Sequence, residues 1–347
     1  MPIISPEALR QFAAETLSLA GSSEAEARQV AANLVEADLQ GHGSHGVGMI
    51  PRYIAAIREN GLRPNSSARL ISDLGAILNF DGQMGYGQIV GAQAIAAGIT
   101  RASQTGVAIV SLANAHHLGR IGAWAEQCAE AGLVSLHFVN VCSRPIVVPW
   151  GGTQPKLGTN PICIGFPRPG TEALILDFAT SAIAAGKARL AYNKGETLKP
   201  GLAVDDQGQP TTAPRFIITP PFGGLLPFGE HKGGGLALIS SLLGAALTGS
   251  PTERVSDASV MTIVNGMLSI ILNPAMLGGA DSWNAESASL LDWATAGHGE
   301  DAEMQYPGDP ERRTKTSRLA EGIPVDEATW AELQAARESV KSLGNGG

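Results

Sequence analysis

The sequence predicts an α/β protein in which helices from both chain ends form a lobe beside a central sheet. Strand and helix patterns alternate between residues 76 and 140, as they do in an α/β layer. Polar helical patterns occupy both ends, and a chain of 347 residues is long enough for two or three lobes. We therefore predict a mainly helical lobe, residues 1–75 plus 285–347, and an α/β region, residues 76–284.

The N-terminal segment carries three helix patterns. The first helix follows Pro6. The second lies in "SSEAEARQVAANLVEADL", where Ser23 can cap the helix and Glu26 follows three residues later. The third has Pro51 near its start and Gly61 past its end. The apolar residues of the second helix recur on one face: Val30, Leu34, Val35 and Leu39.

The α/β region carries alternating or apolar strand patterns separated by helix patterns and turns. The predicted strands are "AILNFDG", "VAIVSLAN", "LVSLHFVN", "ICIGFP", "ALILDFAT" and "MLSIILNP". The predicted helices are "QIVGAQAIAAGITRASQTG", "GAWAEQCAEAG" and the small-residue "GGGLALISSLLGAALTG". Residues 141–235 are otherwise rich in Pro and Gly, and residues 285–343 return to a polar helical pattern.

Charge and composition exclude several function classes. The net charge of −8 argues against a nucleic-acid surface, which needs clustered Lys and Arg to displace phosphate counterions. No apolar run approaches the roughly 18 residues that span a bilayer. The N-terminus lacks the basic and apolar order of a signal peptide. Three separate cysteines, with no C-x-x-C pair, favour a reduced compartment. We therefore expect a cytoplasmic protein without nucleic-acid or membrane partners.

Two glycine-rich stretches resemble cofactor-binding motifs. In "FDGQMGYGQIVG" the glycines are spaced G-x-G-x-x-x-G, and no acidic residue lies between Asp81 and Glu126, so a standard Rossmann fingerprint is rejected. In "FGEHKGGGLAL" (228–238) three glycines follow Lys232 and precede a helix, as at an anion-binding helix N-terminus. Close packing of small residues explains the second stretch equally well.

Histidines are concentrated in two stretches, "LQGHGSHGVGMIPRY" (39–53) and "NAHHLGR" (114–120). A metal site is disfavoured because neither stretch has the ligand spacing of a zinc site, and no metal is expected. "HGSHG" lacks the first glycine of the G-x-S-x-G nucleophile motif. Ser44 and His45 could still hydrogen-bond, and Asp177 at a strand end could orient the imidazole. Such a trio suits nucleophilic catalysis or proton transfer to a substrate atom.

Over nearly its whole length, the chain resembles the non-Rossmann malate/L-lactate dehydrogenase family, which includes ureidoglycolate and sulfolactate dehydrogenases and piperideine-carboxylate reductases. The stretches that carry the resemblance are "GHGSHGVGMIPRY", "NAHHLGRIGAWAEQCAEAGLVSLHFVN", "PWGGTQPKLGTNPICIGFP", "LDFATSAIAAGKA", "NKGETLKPGLAVDDQGQPTTAP" and "EHKGGGLAL". The resemblance implies the family's three-layer α/β fold, with cofactor and substrate bound by residues 76–284. It also implies a homodimer.

The implied activity is hydride transfer between NAD, with NADP left open, and a small 2-hydroxy or 2-oxo acid. Carried over by position, Ser44, His45 and Asp177 would form a proton relay, with His117 as a further acid–base group and Tyr53 facing the substrate. Residues 157–161 and 177–181 match segments lining the nicotinamide cleft, and Lys232 matches a cofactor-phosphate contact. The predicted cofactor residues are Gly158, Thr159, Asn160, Phe178, Ala179, Thr180, His231, Lys232 and Gly233.

One position departs from the family pattern. Many relatives have an arginine four residues after the "SHG" histidine, a natural bidentate partner for a carboxylate. This chain has Met49 there, and the candidate substitutes are Arg52, Arg144 and, preferred for its place beside the histidine pair, Arg120. Met49 would leave an apolar gap suited to a bulkier, for example aromatic, substrate. The alternatives are a cyclic-imine reductase of the piperideine-2-carboxylate type and a Ser–His hydrolase.

Overall fold

The computed structural model describes residues 1–257, 259–279, 282–296 and 304–344. The helices among these residues are α1 (Pro6–Leu19), α2 (Glu24–Leu39), α3 (Ile50–Arg58), α4 (Gly87–Thr105), α5 (Gly122–Glu130), α6 (Ala185–Lys194), α7 (Arg215–Ile218), α8 (His231–Ser241), α9 (Trp283–Thr295), α10 (Asp309–Glu321) and α11 (Glu327–Gly344). The strands are β1 (Ile3–Ile4), β2 (Arg69–Leu74), β3 (Ile77–Asp81), β4 (Val107–Ala115), β5 (Val134–Cys142), β6 (Ile162–Phe166), β7 (Leu174–Phe178), β8 (Ala203–Val204), β9 (Pro210–Thr211), β10 (Gly224–Leu225), β11 (Val264–Leu272) and β12 (Ile323–Pro324).

The central feature is a seven-stranded mixed sheet in the order β2-β3-β4-β11-β5-β6-β7. Only β3 and β4 pair in parallel, and α4 makes the crossover between them. Every other neighbouring pair is antiparallel. This order confirms the predicted α/β class and differs from the parallel sheet of a Rossmann fold.

Helices cover both faces of this sheet. Gly98 of α4 lies so close to β4 and β11 that a Cβ there would stand 2.5 Å from Val110 and 2.7 Å from Ile271. A Cβ on Gly266 would stand 2.0 Å from the carbonyl oxygen of Gly244, in the π-helical segment after α8. Residues 266 and 271 of β11 point to opposite faces because side chains alternate along a strand. The sheet is therefore sandwiched between α4 and the α8 segment.

A second core lies under the N-terminal helices and includes residues from the C-terminal end of the chain. Strand β1 pairs with β12, so the chain ends are joined directly. The buried residues shared by α1, α2, α3 and α11 include Leu9, Leu17, Val30, Leu34, Ile50, Tyr53, Leu333 and Val340. The division of the chain near residues 75 and 284 stays a prediction.

The end of α2 fixes the glycine-rich turn that carries the first histidine cluster. The carboxylate oxygen Oδ2 of Asp38 accepts a hydrogen bond of 2.8 Å from the Val47 backbone N–H. A Cβ on Gly46 would stand 1.9 Å from Asp38 Oδ1, so only glycine lets the turn approach this closely. Burial raises the pKa of Asp38 to about 7, against the opposing effects of the Val47 bond and the positive charge of Arg318.

Asp38→Asn should change how the stability of the fold depends on pH. The Asp38 pKa is higher in the folded than in the unfolded chain, so its stabilising contribution is complete below about pH 4 and is lost as pH rises towards 7. The asparagine variant cannot ionise. Its free energy of unfolding relative to wild type should therefore rise by a few kcal/mol, at most about 4, between these pH values. Urea unfolding at pH 4.5 and 7.5 measures this, and a difference independent of pH would contradict it.

Candidate active site

The two histidine clusters meet beside the N-terminal core. His45 ends a short 3-10 turn (Gly43–His45), and His117 follows strand β4. His45 Nδ1 lies 3.2 Å from His117 Nε2, and His117 Nδ1 lies 2.7 Å from Tyr53 Oη. Gln88 Nε2, in the first turn of α4, donates a 2.8 Å hydrogen bond to the same Tyr53 oxygen. We call these four side chains, His45, His117, Tyr53 and Gln88, the His–Tyr chain.

The partners in the His–Tyr chain determine where each proton lies. Because an amide nitrogen only donates, Gln88 donates to Tyr53 Oη, and the Tyr53 hydroxyl donates to His117 Nδ1. Neutral His117 then carries its proton on Nε2 and donates to His45 Nδ1. Neutral His45 carries its proton on Nε2, for which the described residues offer no hydrogen-bond partner. The chain therefore orients a free N–H of His45 as a donor.

The electrostatic environment keeps both histidines neutral near pH 7. Burial, reinforced by interactions with His42 and with the positive charge of Arg120, lowers the pKa of His45 to about 4. Burial also holds the pKa of His117 well below its usual range, with further lowering from its interactions with His45, His116 and Arg52. Burial raises the pKa of Tyr53 above its usual range. Because both histidines are neutral, the arrangement of hydrogen-bond donors and acceptors determines in which direction a proton can move along the His–Tyr chain.

Tight backbone packing positions His117. The backbone N–H of Leu118 donates a 2.8 Å hydrogen bond to the buried Asn265 side chain of β11. At the start of α4, a Cβ on Gly87 would stand 2.3 Å from the His117 carbonyl oxygen and 2.4 Å from Leu118 Cα. Glycine at this position lets the helix touch the backbone that carries the histidine.

The structure places Ser44 and Asp177 near the histidines without a hydrogen bond from either to His45 among the described residues. Asp177 Oδ2 accepts a 2.7 Å hydrogen bond from the Gly122 backbone N–H. Burial raises the Asp177 pKa, opposed first by the positive charge of Arg120 and then by the interaction with His42. Ser44 packs against α6, where a Cβ on Gly186 would stand 2.3 Å from Ser44 Cβ. The contacts of His45 thus run to His117 rather than to Asp177.

Arg120 and Met49, the predicted substrate contacts other than Tyr53, both contact other residues of the protein. Arg120 is only 3% exposed and forms an ion pair with Glu126. Its guanidinium is therefore not available to a substrate without breaking that pair. Met49 is half-buried and packs against the N-terminal core.

The predicted cofactor segments lie together at the end of β7. Both the backbone N–H and the hydroxyl of Thr180 donate to the carbonyl oxygen of Thr159, at 2.9 and 2.8 Å. The rings of Phe178 and Phe228 meet edge to face, with centroids 5.6 Å apart. Phe228 leads into α8, where Lys232 is exposed in the first turn. The structure thus brings residues 158–160, 178–180 and 231–233 into one region.

Several of these predicted cofactor residues also have structural roles. The Asn160 amide donates to Ala237 O, Ser241 Oγ and Glu253 Oε1, and its oxygen accepts from the Val141 backbone N–H. Gly158 N–H also donates to Glu253 Oε1. Gly233 packs so closely that a Cβ there would stand 2.2 Å from the Phe228 carbonyl oxygen. Ala179 is half-buried and His231 is exposed. Asn160 in particular ties this loop to α8.

A cavity of about 700 Å³ opens on the side of β7 that carries Asp177. Arg120 and Asp177 line it, and its wall continues along residues 167–173 and the start of α10. His42 Nε2 lies 3.3 Å from Glu311 Oε1 of that helix. None of the nine predicted cofactor residues lines this cavity. Its basic side chains are Arg120, Arg168, Arg312 and Lys315.

Two features of the site could not be read from the sequence. Gln88 lies in an alanine-rich helix pattern and shows no motif. The approach of His42 to Glu311 joins residues 269 positions apart.

Across the described ranges, which omit 258, 280–281, 297–303 and 345–347, no group of three or more His, Cys, Asp or Glu side chains could hold a metal ion. No helix in these ranges is long and apolar enough to cross a membrane.

A mixed, non-Rossmann sheet with helices on both faces, carrying a neutral and oriented imidazole at His45, defines an α/β protein with a candidate proton-transfer site. The pattern of the malate/L-lactate dehydrogenase family matches residues 4–334. The chain belongs to this family and is an oxidoreductase. It is 43% identical over 336 residues to hydroxycarboxylate dehydrogenase B of Escherichia coli (strain K12), covering 96% of this chain and 93% of that protein. Within the family, the stretches "SHGVGMIP", "HHLGRIGAWAEQCA" and "EHKG" also predict similarity to hydroxycarboxylate dehydrogenase B.

Two solved structures are also similar over nearly their full lengths. The sulfolactate dehydrogenase of Methanocaldococcus jannaschii has a TM-score of 0.86 at 31% identity, covering 98% of each chain. The delta1-piperideine-2-carboxylate reductase of Pseudomonas syringae pv. tomato has a TM-score of 0.84 at 32% identity, covering 97% of this chain and all of that one. The non-Rossmann family fold predicted from the sequence is thereby confirmed.

Tyr53→Phe should weaken both the fold and the proton-transfer step. Removing the hydroxyl leaves the buried Gln88 amide and His117 Nδ1 without their shared partner, which should cost about 1–3 kcal/mol of unfolding free energy. We expect kcat to fall roughly tenfold because His117 no longer has a fixed tautomer. Urea unfolding and steady-state kinetics measure the two effects. A variant with wild-type kcat would show that the hydroxyl does not orient the histidines.

Proposed function

We propose that the enzyme transfers a hydride between a nicotinamide cofactor and a small 2-hydroxy or 2-oxo carboxylic acid. The observation that carries this proposal is the His–Tyr chain, which presents the Nε2–H of neutral His45 as a proton donor. Carbonyl reduction needs such a donor at the oxygen where negative charge develops. The dehydrogenase names of the relatives support the same chemistry.

In this proposal, His45 supplies the proton that the reduced substrate oxygen takes up. His45 Nε2–H donates to that oxygen as the carbonyl is reduced, and a proton from solvent replaces it. His117 Nε2–H, 3.2 Å from His45 Nδ1, and the Tyr53 hydroxyl, 2.7 Å from His117 Nδ1, hold His45 in the tautomer that donates. In the oxidising direction the same transfers run backwards, and His45 accepts the hydroxyl proton. Arg120 contributes positive charge near both His45 and Asp177, and Ser44 packs its turn against α6.

The described residues fit a bound dinucleotide. Thr159 and Thr180 are joined by hydrogen bonds and the Phe178 ring meets the Phe228 ring, so the predicted cofactor segments form one region beside the exposed first turn of α8. Residues 158–160 and 178–180 would hold the nicotinamide side, and Lys232 with the first-turn N–H groups of α8 would hold phosphate. When bound, the cofactor supplies or accepts the hydride. We propose NAD as the cofactor, with NADP as the alternative.

A cyclic-imine reductase is the second candidate. One relative, 36% identical over 319 residues, is named a Delta(1)-pyrroline-2-carboxylate/Delta(1)-piperideine-2-carboxylate reductase. The same His45 N–H could protonate an imine nitrogen in place of a carbonyl oxygen. The hydrolase alternative has less support, because Ser44 Oγ makes no hydrogen bond to His45 among the described residues. A nucleophilic serine requires that contact.

The test is oxidation of NADH and NADPH, followed at 340 nm, with glyoxylate, pyruvate, oxaloacetate, phenylpyruvate and piperideine-2-carboxylate offered separately. Turnover with a 2-oxo acid supports the proposal, and preference for phenylpyruvate would support the apolar gap at Met49. Turnover with the cyclic imine alone supports the second candidate. No turnover and no enhancement of NADH fluorescence would overturn the redox proposal for this site.

We also propose that the enzyme is a cytoplasmic homodimer. Along α8 and the segment after it, Leu238, Ile239, Leu242 and Leu247 are 45–67% exposed, which is unusual for a contiguous apolar surface of a monomer. Light scattering coupled to size exclusion should give twice the mass of 35.8 kDa. A monomer would contradict this proposal.

A further inference from the structure

Two arginines near the His–Tyr chain, Arg52 and Arg144, form no ion pair among the described residues, although Glu59 lies within electrostatic range of Arg52. Arg52 precedes Tyr53 in α3 and donates from Nε to the Met261 carbonyl oxygen at 2.7 Å, which leaves its two terminal nitrogens. Arg144 follows β5 and donates from Nη2 to the Ile217 carbonyl oxygen at 2.8 Å. Its Nη1 is buried and has no hydrogen-bond partner. Neither arginine belongs to any ion pair within the described ranges.

The surroundings of the two guanidinium groups favour an anion between them. Burial lowers the pKa of Arg52 to about 10; nearby Tyr53 and Glu59 oppose this shift, and the positive charge of Arg144 adds to it. Burial also lowers the pKa of Arg144. Because an arginine guanidinium keeps its charge in proteins, two half-buried positive groups lie within electrostatic range of each other. An anion that contacted both would relieve this repulsion and supply the missing hydrogen-bond acceptors.

The position of this pair relates it to the reacting atoms. The charge of Arg52 lowers the pKa of both His116 and His117, so the guanidinium lies within electrostatic range of the chain that ends at His45. The Arg144 guanidinium lies over the Phe222 ring, 3.9 Å from its centroid, which holds the planar group in one orientation. The Arg120 guanidinium, by contrast, is already paired with the Glu126 carboxylate.

We propose that Arg52 and Arg144 form the subsite that binds the carboxylate of the 2-oxo or 2-hydroxy acid, with Phe222 holding Arg144 in place. This assignment rests on the proposed function and deepens it. The substrate class is narrowed to compounds whose carboxylate is free, since an amide or ester carries no charge for two guanidinium groups. Arg52 and Arg144 then bind the substrate carboxylate, which the uncharged Met49 side chain cannot do.

The test compares Arg144→Gln with the matched control Arg63→Gln, which removes an equal charge from an exposed position. The probe is oxamate, a planar 2-oxo carboxylate analogue, titrated calorimetrically into enzyme saturated with NADH. We expect Arg144→Gln to weaken oxamate binding on the order of 100-fold and Arg63→Gln to leave it unchanged. For whichever 2-oxo acid is reduced, KM should rise similarly while kcat changes little, and the neutral amide of that acid should show no such rise.

The outcomes separate this assignment from the proposed function. If no 2-oxo acid is reduced but oxamate binds wild type and not Arg144→Gln, the anion subsite stands and the proposed reaction fails. If oxamate binds both proteins equally, or binds neither, the subsite is overturned even where turnover is found. Should Arg144→Gln unfold, Arg144→Lys keeps the charge and loses the planar fork, and it should still weaken oxamate at least tenfold.

Discussion

Replacing His45 with alanine should reduce kcat for 2-oxo acids by about 10²- to 10⁴-fold while NADH binding is retained. This range is the usual contribution of a positioned general acid or base. In this chain the loss should fall near the top of the range, because the neighbouring donor, His117, is buried and its Nε2 faces His45 Nδ1. The measurements are steady-state reduction at 340 nm and titration of NADH fluorescence.

A rescue experiment distinguishes lost proton transfer from a disturbed turn. His45 is half-buried at the end of a 3-10 turn, so alanine should leave a gap that free imidazole can enter. Added imidazole should then restore part of kcat in His45→Ala and have no effect on wild type. Activity of the variant within tenfold of wild type, without imidazole, would remove His45 from the proposed mechanism. In that case the His117 side chain would become the leading acid.

The sequence allowed the histidines of the site to be predicted but not their connection. His45 and His117 stand out because two dense motifs carry four of the seven histidines in the chain. Gln88 is invisible to such reasoning, since a single glutamine in a helix has no signature until the fold brings it to Tyr53. The ion pair between Arg120 and Glu126, six residues further on, could not be predicted, because it depends on where helix α5 begins. The grouping of Ser44 and His45 with Asp177 rests on their chemistry and on the resemblance, and it stays a prediction.

The strands were easier to predict than their order. β4, β5 and β11 are buried in the sheet, and their apolar patterns identify them. β2 was missed because only one of its six residues is even partly buried, so it lacks the alternation that identifies a strand. β11 pairs with both β4 and β5, although more than 100 residues separate it from either. No local pattern in the sequence encodes that long-range pairing.

Among substitutions that add a single methyl group near the site, Gly87→Ala should reduce stability and activity the most. The added Cβ would stand 2.3 Å from the His117 carbonyl oxygen and 2.4 Å from Leu118 Cα, and these backbone atoms cannot rotate away as a side chain could. Helix α4 or the His117 segment must therefore shift. Overpacking of this kind costs about 1–3 kcal/mol or more of unfolding free energy. A displacement of about 1 Å at His117 should lower kcat/KM by roughly 100-fold.

The matched control is Gly278→Ala, because a Cβ there would meet nothing within 4 Å and its φ is not in the left-handed region. Its unfolding free energy should stay within about 0.5 kcal/mol of wild type, and its kcat/KM should not change. Urea unfolding and steady-state kinetics on both variants measure the contrast. If Gly87→Ala behaved like the control, α4 would have room to move without disturbing His117. The tight contact between this helix and the histidine segment would then not be what positions the His–Tyr chain.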